Sequence, residues 1–386
     1  MTIILPPPSR EPAADDHRPT SHRRRRRRPG RWLLPAAALL LSWPVISYAQ
    51  ALSYPGDAGI AVRTAEWVRD NGGGGLVDLA ENLWYSRPSG GSAAPDPALG
   101  YTGQAAAART APNAPAALPV LAGVAPLRGE GLWIPRAAAA TGIPALYTTF
   151  IRPDPQYPNV IAGVARFDQS LTRTDLIAGT RQPDLSTTAP AKVPDADRAS
   201  LVATFNSGFK MKDARGGFFL RGRTIVPLRD GAASLVIRQD GRATIAQWSR
   251  DAAAGPDVTA VRQNLDLIVD GGHPVSGLDT NAGGTWGSSG NQLQYTWRSG
   301  LGEDAAGDLV YVGGANLTLA TLAKALTSAG AVRGMELDIH SRMVDFNGYQ
   351  HAGGELSSTK LLPDMPNGDT RYLVPDQRDF VAVTLQ

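Results

Sequence analysis

The chain has 386 residues, 42% of them hydrophobic, which is enough to build the core of a large globular domain and excludes disorder along its whole length. The net charge of +3 is uneven, because residues 1–31 carry nine arginines against three acidic residues, so the remainder has a net charge of −3. The basic isoelectric point therefore does not indicate a nucleic-acid partner. The absence of cysteine excludes disulfides, thiolate metal ligands and a cysteine nucleophile.

The N-terminal region has the pattern of an export segment. A basic tail, 1–31, precedes an uncharged apolar run of 18 residues, 32–49, which contains small residues at its end. This pattern is typical of a secretion signal and equally of a short single-span anchor with its basic end in the cytoplasm. We therefore expect a cell-envelope protein, either single-pass with an extracytoplasmic domain or secreted after cleavage.

Two further segments precede the main domain. Residues 50–86 predict a small helical juxtamembrane module, in which two short helical stretches are separated by the glycines at 72–75. Residues 87–117 are rich in Pro, Ala, Gly and Ser and have almost no large apolar side chains, which predicts a linker. The main domain is expected at 118–386.

The sequence of the main domain predicts short strands separated by turns. LVATFN, NLDLIVDGG, GDLVYVGG and DFVAVTL predict strands, while FFLRGRTIVPL and SLVIRQDGRATIAQW predict hairpins, the second with Asp240 and Gly241 at its tip. LTLATLAKALTS has the apolar stripe of a helix and is followed by Gly330 as a C-terminal cap. The predicted class is α+β, with strand-rich mixed sheets packed on one or a few helices.

The stretch GMELDIH directly after this helix is the most informative about function, because it contains three titratable residues at alternate positions. In a strand, Met335, Leu337 and Ile339 would line one face, and Glu336, Asp338 and His340 would line the other. That polar face is either a solvated sheet surface or a group of titratable side chains gathered at one site. A strand that follows a buried helix is expected to lie centrally with both faces covered, which favours a site.

The segment FNSGF ends a strand on residues that tolerate left-handed backbone. Asn206, Ser207 and Gly208 form a tight turn on the ordinary interpretation. On the functional interpretation, the turn presents backbone N–H groups and the Asn206 amide to an anion.

Two later segments offer further candidates. IVDGGHP ends an apolar strand in Asp270, which together with His273 would face either solvent in a plain turn or a cleft. WRSGLGE places Arg298 in a predicted glycine-rich loop, where a guanidinium is either solvated or able to grip a phosphate through two charge-assisted bonds.

Most competing motifs are missing from the sequence. It contains no HExxH, no Walker loop, no GxGxxG after a strand and no GxSxG. A Ser-His-Asp arrangement needs no fixed spacing and stays open. Metal binding through Asp338, His340 and His273 is a weaker alternative, and we expect neither a metal nor another cofactor.

The order of these pieces resembles the phosphodiester glycosidase family, which includes the enzyme that uncovers mannose 6-phosphate on lysosomal proteins. The family has a strand ending in Asn-Gly-Gly-Phe-Phe, an Arg-Thr-Ala-Ile-Gly-like segment, a helix with a Leu-Ala core and a final Leu-Asp-Gly-Gly-Gly-Ser. The corresponding positions here are residues 206–209, 298–302, 317–328 and 337–341. The resemblance covers residues 201–346, and with the N-terminal segments the chain is similar to membrane-linked actinobacterial members.

The chain departs from the family pattern at two places. Ser207 replaces a glycine, and Ile339 with His340 replaces the glycines after Asp338, so the loop is bulkier and carries an imidazole. The resemblance implies an extracytoplasmic hydrolase that cleaves the glycosidic bond of a sugar-1-phosphodiester and releases the sugar and a phosphomonoester.

The implied roles follow from that reaction, in which the phosphate leaves easily and the site needs an anion clamp and one carboxylate. Arg298, with the turn at 206–208 and Asp270, would bind substrate; Asp338 would be base or nucleophile, His340 an acid or base and Glu336 a support. Because conventional glycosidases also use paired carboxylates, Glu336 and Asp338 alone do not identify the leaving group.

Two other functions stay open. One is a non-catalytic module that binds a cell-wall glycopolymer in the same cleft, which the lost glycines favour. The other is a metal-dependent hydrolase built on Asp338 and His340, against which activity in the presence of a chelator would argue. The expected partners are a sugar phosphodiester or glycopolymer and, through the N-terminal segment, the membrane, with no nucleic acid.

Overall fold

The computed structural model describes residues 33–54, 59–85, 111–184, 190–287, 292–352 and 355–386. The chain divides into two compact units, Met1–Ala49 and Gln50–Gln386. The predicted basic tail at 1–31 lies outside the described residues, as does most of the predicted linker. Within the described ranges, no helix combines the length and apolar character needed to cross a membrane.

In the part of the chain that the structure describes, five α-helices are interspersed with eighteen strands, which confirms the α+β prediction. The helices are α1 (Leu33–Ser53), α2 (Ile60–Val68), α3 (Gly74–Tyr85), α4 (Met211–Ala214) and α5 (Leu319–Ser328). A π-helical turn (Arg69–Gly73) and two 3-10 turns (Asp195–Ser200 and Arg371–Leu373) complete the helical structure.

The strands form three antiparallel sheets. The eight-stranded sheet has the order β1 (Ile134–Pro135), β2 (Leu146–Ile151), β3 (Ala162–Phe167), β14 (Leu309–Leu317), β13 (Thr296–Asp304), β15 (Ala331–Ile339), β11 (Val269–Asp270) and β12 (His273–Pro274). One five-stranded sheet has the order β7 (Arg223–Val226), β6 (Phe218–Leu220), β10 (Val258–Gln263), β8 (Ala233–Arg238) and β9 (Ala243–Gln247). The other has the order β17 (Glu355–Lys360), β16 (Phe346–Ala352), β5 (Leu201–Asn206), β18 (Phe380–Leu385) and β4 (Thr172–Ile177).

Strand β15, which contains GMELDIH, lies inside the large sheet and is covered on both faces. Met335 and Leu337 pack into the core shared with the two smaller sheets. Glu336 and Asp338 point to the other face and are only 0% and 7% exposed. The polar face is therefore a buried group of titratable side chains, as the central position of the strand predicted.

Glycines bring helix α5 close to that sheet. A Cβ at Gly300 would lie 3.0 Å from a methyl carbon of Leu326, and one at Gly302 would lie 2.6 Å from the Cβ of Ala331. A Cβ at Gly334 would lie 3.1 Å from Leu326. Strands β13 and β15 thus present a surface without side chains at these glycines, against which the fully buried Leu326 packs.

Most predicted elements are confirmed, including both hairpins, the strands at β5, β14 and β18 and the helix at α5 with Gly330 in the left-handed region at φ 93°. The predicted loop around Arg298 is wrong, because residues 296–304 form strand β13. Its glycines are strand residues that admit α5 and do not make a turn. The strand predicted at NLDLIVDGG shortens to Val269–Asp270.

Helices α2 and α3 lie in the segment 50–86 that precedes the main domain. The break falls at Asn71 and at Gly72, whose φ of 89° suits a glycine. Farther on, Ala111 and Ala114 pack against the hydrophobic cluster to which α5 also contributes, and Asn113 accepts a 2.7 Å hydrogen bond from the hydroxyl of Tyr147. Residues 111–117, predicted as linker, therefore belong to the folded unit.

Candidate active site

A cavity of about 590 Å³ lies at the C-terminal end of strand β15, which is a size typical of small-molecule sites. Its walls come from the end of β15 (Asp338–Ser341), the segment after β5 (Phe209–Arg215), Arg378 before β18, and helix α2 with the turn that follows it. Four cations and two acids line it from the domain side: Lys210, Lys212, Arg215 and Arg378, with Asp213 and Asp338. The cavity is therefore suited to an anionic ligand.

Asp338 is the buried carboxylate of this cavity. Its Oδ2 accepts a 2.6 Å hydrogen bond from Nη2 of Arg378, and its Oδ1 accepts one of 2.8 Å from its neighbour's N–H at Ile339. Burial raises the pKa of Asp338 above its ordinary value, while Arg378 opposes that rise. A carboxylate held in one orientation, with a raised pKa, at a cavity wall is suited to acid or base chemistry.

Glu336 lies two residues deeper on the same face and does not line the cavity. Its Oε1 is 2.7 Å from Nη1 of Arg298, and its Oε2 accepts a 3.0 Å hydrogen bond from the amide of Gln292. Burial raises the pKa of Glu336 to about 7, against the opposing charge of Arg298. Glu336 is therefore a buried partner of Arg298 and Gln292 below the cavity, and the supporting role predicted for it stays a prediction.

Arg298 has a different position from the one predicted. It is 0% exposed and donates five hydrogen bonds to residues within the described ranges, two of them to the side chains of Gln292 and Glu336. The other three go to main-chain oxygens of Leu317, Gln292 and Gln294. All five N–H groups of the guanidinium are engaged, so Arg298 has no donor left for a phosphate, and it does not line the cavity.

His340 lines the cavity but leaves the strand geometry. Its φ of 76° lies in the left-handed region, which redirects the chain after Ile339 and ends the strict alternation of faces. Its main-chain N–H donates a 2.8 Å hydrogen bond to the carbonyl of Trp297, and Nδ1 of its ring lies 3.3 Å from Oγ1 of Thr296. Burial lowers the pKa of His340 to about 3, with further contributions from Arg69 and Arg298, so the imidazole is neutral at ordinary pH.

The turn at residues 206–208 lies beside the cavity and is used internally. The Asn206 amide donates to Ser299 Oγ and to the Ser207 carbonyl, and its Oδ1 accepts from Tyr311 and from the N–H of Asp345. Ser207 is buried, and its Oγ has no hydrogen-bond partner among the described residues.

Gly208 allows a close approach at the same turn. A Cβ on it would lie 2.8 Å from Oδ1 of Asn264, whose amide in turn donates to the carbonyls of Glu336 and Leu337. The Gly208 carbonyl accepts from Arg378, so the turn positions site residues.

The structure places Asp270 away from the others. It pairs with Arg250 at 2.7 Å on the edge hairpin of the large sheet, and His273 opposite it is exposed. Neither residue lines the cavity. No cluster of His and acidic side chains suited to a metal ion occurs among the described residues.

The cationic residues of the cavity were not predicted from the sequence. Lys210 and Lys212 follow the predicted turn directly in FNSGFKMK, and Arg378 precedes the last strand in PDQRDF. The alternating lysines were a usable signal, since they extend a segment already singled out. Arg378 is 40 residues from Asp338 in sequence, and only the antiparallel sheets bring the two together.

No family model and no curated protein matches the chain. Among solved structures, the zebrafish N-acetylglucosamine-1-phosphodiester alpha-N-acetylglucosaminidase catalytic domain, auto-inhibited by its pro-peptide, matches with 13% identity and a TM-score of 0.42, covering 65% of this chain and 87% of that one. A hypothetical protein from Synechocystis matches with 14% identity and a TM-score of 0.34 over 59% of each chain. An exported protein from Burkholderia pseudomallei matches with 12% identity and a TM-score of 0.31, over 58% of this chain and 74% of that one. These values show a distant likeness in fold and assign no family.

Proposed function

We propose that this protein is an extracytoplasmic hydrolase that cleaves the glycosidic bond of a sugar-1-phosphodiester. The proposal is based on one observation: a buried carboxylate, Asp338, lines a cavity in which cationic side chains outnumber acidic ones. A phosphodiester at an anomeric carbon requires this combination, because its anion must be held while a carboxylate acts on water or on the sugar cation.

The roles differ from those predicted for the phosphate. Lys210 and Arg378 line the cavity and take the place of Arg298 and Asn206, whose donors are used within the protein. In the proposed reaction water adds to the anomeric carbon, the bond from that carbon to the phosphate oxygen breaks, and the phosphomonoester leaves with both electrons of that bond. Asp338 accepts the proton of the water, or first attacks the carbon itself.

His340 has a restricted role in this scheme. With its pKa lowered to about 3 it is a neutral hydrogen-bonding group and not a proton donor to the leaving phosphate. A phosphomonoester is a good leaving group and needs little protonation, so the reaction does not depend on an imidazolium at this position.

The test is turnover by the full chain. A panel of sugar-1-phosphodiesters is assayed for release of phosphomonoester and reducing sugar, with Asp338→Asn as the variant and Asp257→Asn as the matched control. Asp257 is an exposed aspartate paired with Arg238 outside the cavity. We expect Asp338→Asn to lower kcat by about a thousandfold or more and the control to keep it.

A second candidate is a non-catalytic module that binds a cell-wall glycopolymer in the same cavity. The observation that favours it is that both oxygens of Asp338 already accept hydrogen bonds. It is supported if no substrate turns over while a glycopolymer binds equally to the wild type and to Asp338→Asn.

A further inference from the structure

A row of alternating charges, contributed by two parts of the chain, begins at the cavity wall and ends at Asp70, which pairs with cavity lysines but does not itself line the cavity. The domain supplies Arg378, Lys210 and Lys212, while helix α2 and the turn after it supply Glu66 and Asp70. Glu66 lies 3.7 Å from Arg378 and 3.5 Å from Lys210. Asp70 lies 3.3 Å from Lys210 and 3.1 Å from Lys212. Each carboxylate thus lies between two cations.

Most of this row is partly shielded from water. The side chains of Lys210 and Arg378 are 13% and 11% exposed, and that of Glu66 is 20% exposed. Only Lys212, at 50%, resembles an ordinary surface lysine. Ion pairs shielded in this way are screened less by salt than surface pairs, so an anion placed there is bound more strongly.

The row begins at the candidate reacting group. Arg378 binds Asp338 on one side and faces Glu66 on the other. The position held by Glu66 is therefore the anion position nearest to Asp338, where the scissile phosphodiester of a substrate would lie. The position held by Asp70, between the two lysines, is one step farther from the reacting carboxylate.

The two carboxylates have the spacing of one helical turn. Glu66 and Asp70 are four residues apart, which corresponds to about 6 Å along a helix and places both on one face. A ligand that replaced both would carry two anionic groups at a comparable short interval. A polyol phosphate chain meets this requirement, since only a short carbon linker separates its successive phosphates, whereas a complete sugar ring between phosphates would separate them farther.

We infer that Arg378, Lys210 and Lys212 form a binding site for two successive phosphates of a polyol phosphate chain, with Glu66 and Asp70 occupying the two positions as intramolecular substitutes. The inference rests on the proposed function, because it identifies the first phosphate with the scissile one and the second with the aglycone. A direct consequence is competition: residues 66–70 leave the cations when the ligand binds.

Binding to the full chain tests the inference by calorimetry, with a short oligo(glycerol phosphate), monomeric glycerol phosphate and inorganic phosphate as probes. The variants are Glu66→Gln/Asp70→Asn, which removes the competing charges, and Lys210→Gln/Lys212→Gln, which removes two of the cations. The matched control is Asp195→Asn/Asp257→Asn, which makes the same change in net charge at exposed acids outside the cavity. Thermal unfolding checks that each variant is folded.

We expect Glu66→Gln/Asp70→Asn to bind the oligomer at least about tenfold more tightly than the wild type, and the lysine variant at least about tenfold more weakly, which is a change of about 1.4 kcal/mol in each case. The control should not differ from the wild type beyond its charge effect. Equal affinities of Glu66→Gln/Asp70→Asn and the control, or equal affinities of oligomer and monomer, would overturn the inference.

Turnover separates this inference from the proposed function. Tighter oligomer binding by Glu66→Gln/Asp70→Asn without hydrolysis of any phosphodiester leaves the two-phosphate site in place and refutes the hydrolase. Hydrolysis of monomeric phosphodiesters with no gain in oligomer binding supports the hydrolase and refutes the two-phosphate site.

Discussion

Replacing Arg298 by Met should destabilise the protein more at about pH 8 than at about pH 5. The change removes the cation next to Glu336 and the donors to three buried main-chain oxygens. The lost donors cost about 1–3 kcal/mol in the free energy of unfolding at any pH. The additional cost arises from Glu336, which remains buried without its partner.

The pH-dependent part follows from the pKa of Glu336, which is about 7 in the fold and 4.5 ordinarily. Because the folded value is the higher one, the stability that the protonated carboxyl confers is fully present below pH 4.5 and is lost as the pH rises through about 7. Without Arg298 the pKa of Glu336 rises further. At about pH 8 the pH is about one unit above the pKa of Glu336 in the wild type, so ionisation of Glu336 stabilises the wild-type fold by about 1.4 kcal/mol that the variant does not gain. At about pH 5 Glu336 holds its proton in both folded forms, so the extra loss of stability is close to zero.

Urea unfolding at the two pH values measures the difference. The double variant Arg298→Met/Glu336→Gln should lose the pH-dependent part and keep the rest. Arg250→Met removes an arginine that is 45% exposed and should cost about 1 kcal/mol or less at both values. An equal cost of Arg298→Met at the two pH values would show that Glu336 does not change its protonation between them, and the reasoning would fail.

Three further changes test the geometry around the site. Gly208→Ala places a Cβ against Asn264 and should destabilise the protein by about 1–3 kcal/mol in urea unfolding; unchanged stability would contradict the contact. His340 has its pKa lowered to about 3 from 6.5, so its contribution to stability is present above pH 6.5 and is lost as the pH falls towards 3. His340→Asn should therefore be less acid-sensitive than the wild type by about 1–2 kcal/mol at about pH 5, and an NMR titration showing protonation of His340 near pH 6.5 would refute this. Leu326→Ala leaves a cavity over Gly300 and Gly334 and should lower the free energy of unfolding by about 2–5 kcal/mol, measured in urea. A decrease below about 1 kcal/mol would show that α5 packs loosely.

The sequence was informative where its periodicity reflects burial. The alternation in GMELDIH predicted strand β15, and its place after an apolar helix predicted that Glu336 and Asp338 are covered, which the structure confirms. The end of the alternation at His340 was not predicted, because a positive φ in a residue other than glycine has no local signature in the sequence.

Arg298 shows why other features could not be predicted. Glycines on both sides of a polar residue ordinarily indicate a turn, and only the packing of Leu326 against Gly300 explains them as strand residues. The partners of its guanidinium lie 4, 6, 19 and 38 residues away in the chain. Long-range pairing of this kind depends on sheet topology, which residue patterns do not encode.

The attachment of Glu66 and Asp70 to the same chain as the cations has a consequence for selectivity. Glu66 and Asp70 belong to the same chain as the cations, so their effective concentration at Lys210 and Lys212 does not change with the concentration of the protein. If the site binds two phosphates as we infer, a small anion with a single charged group competes poorly with this pair, whereas a ligand that engages several cations at once gains enough affinity to displace it. The row of charges would then favour multivalent ligands over single anions at any protein concentration.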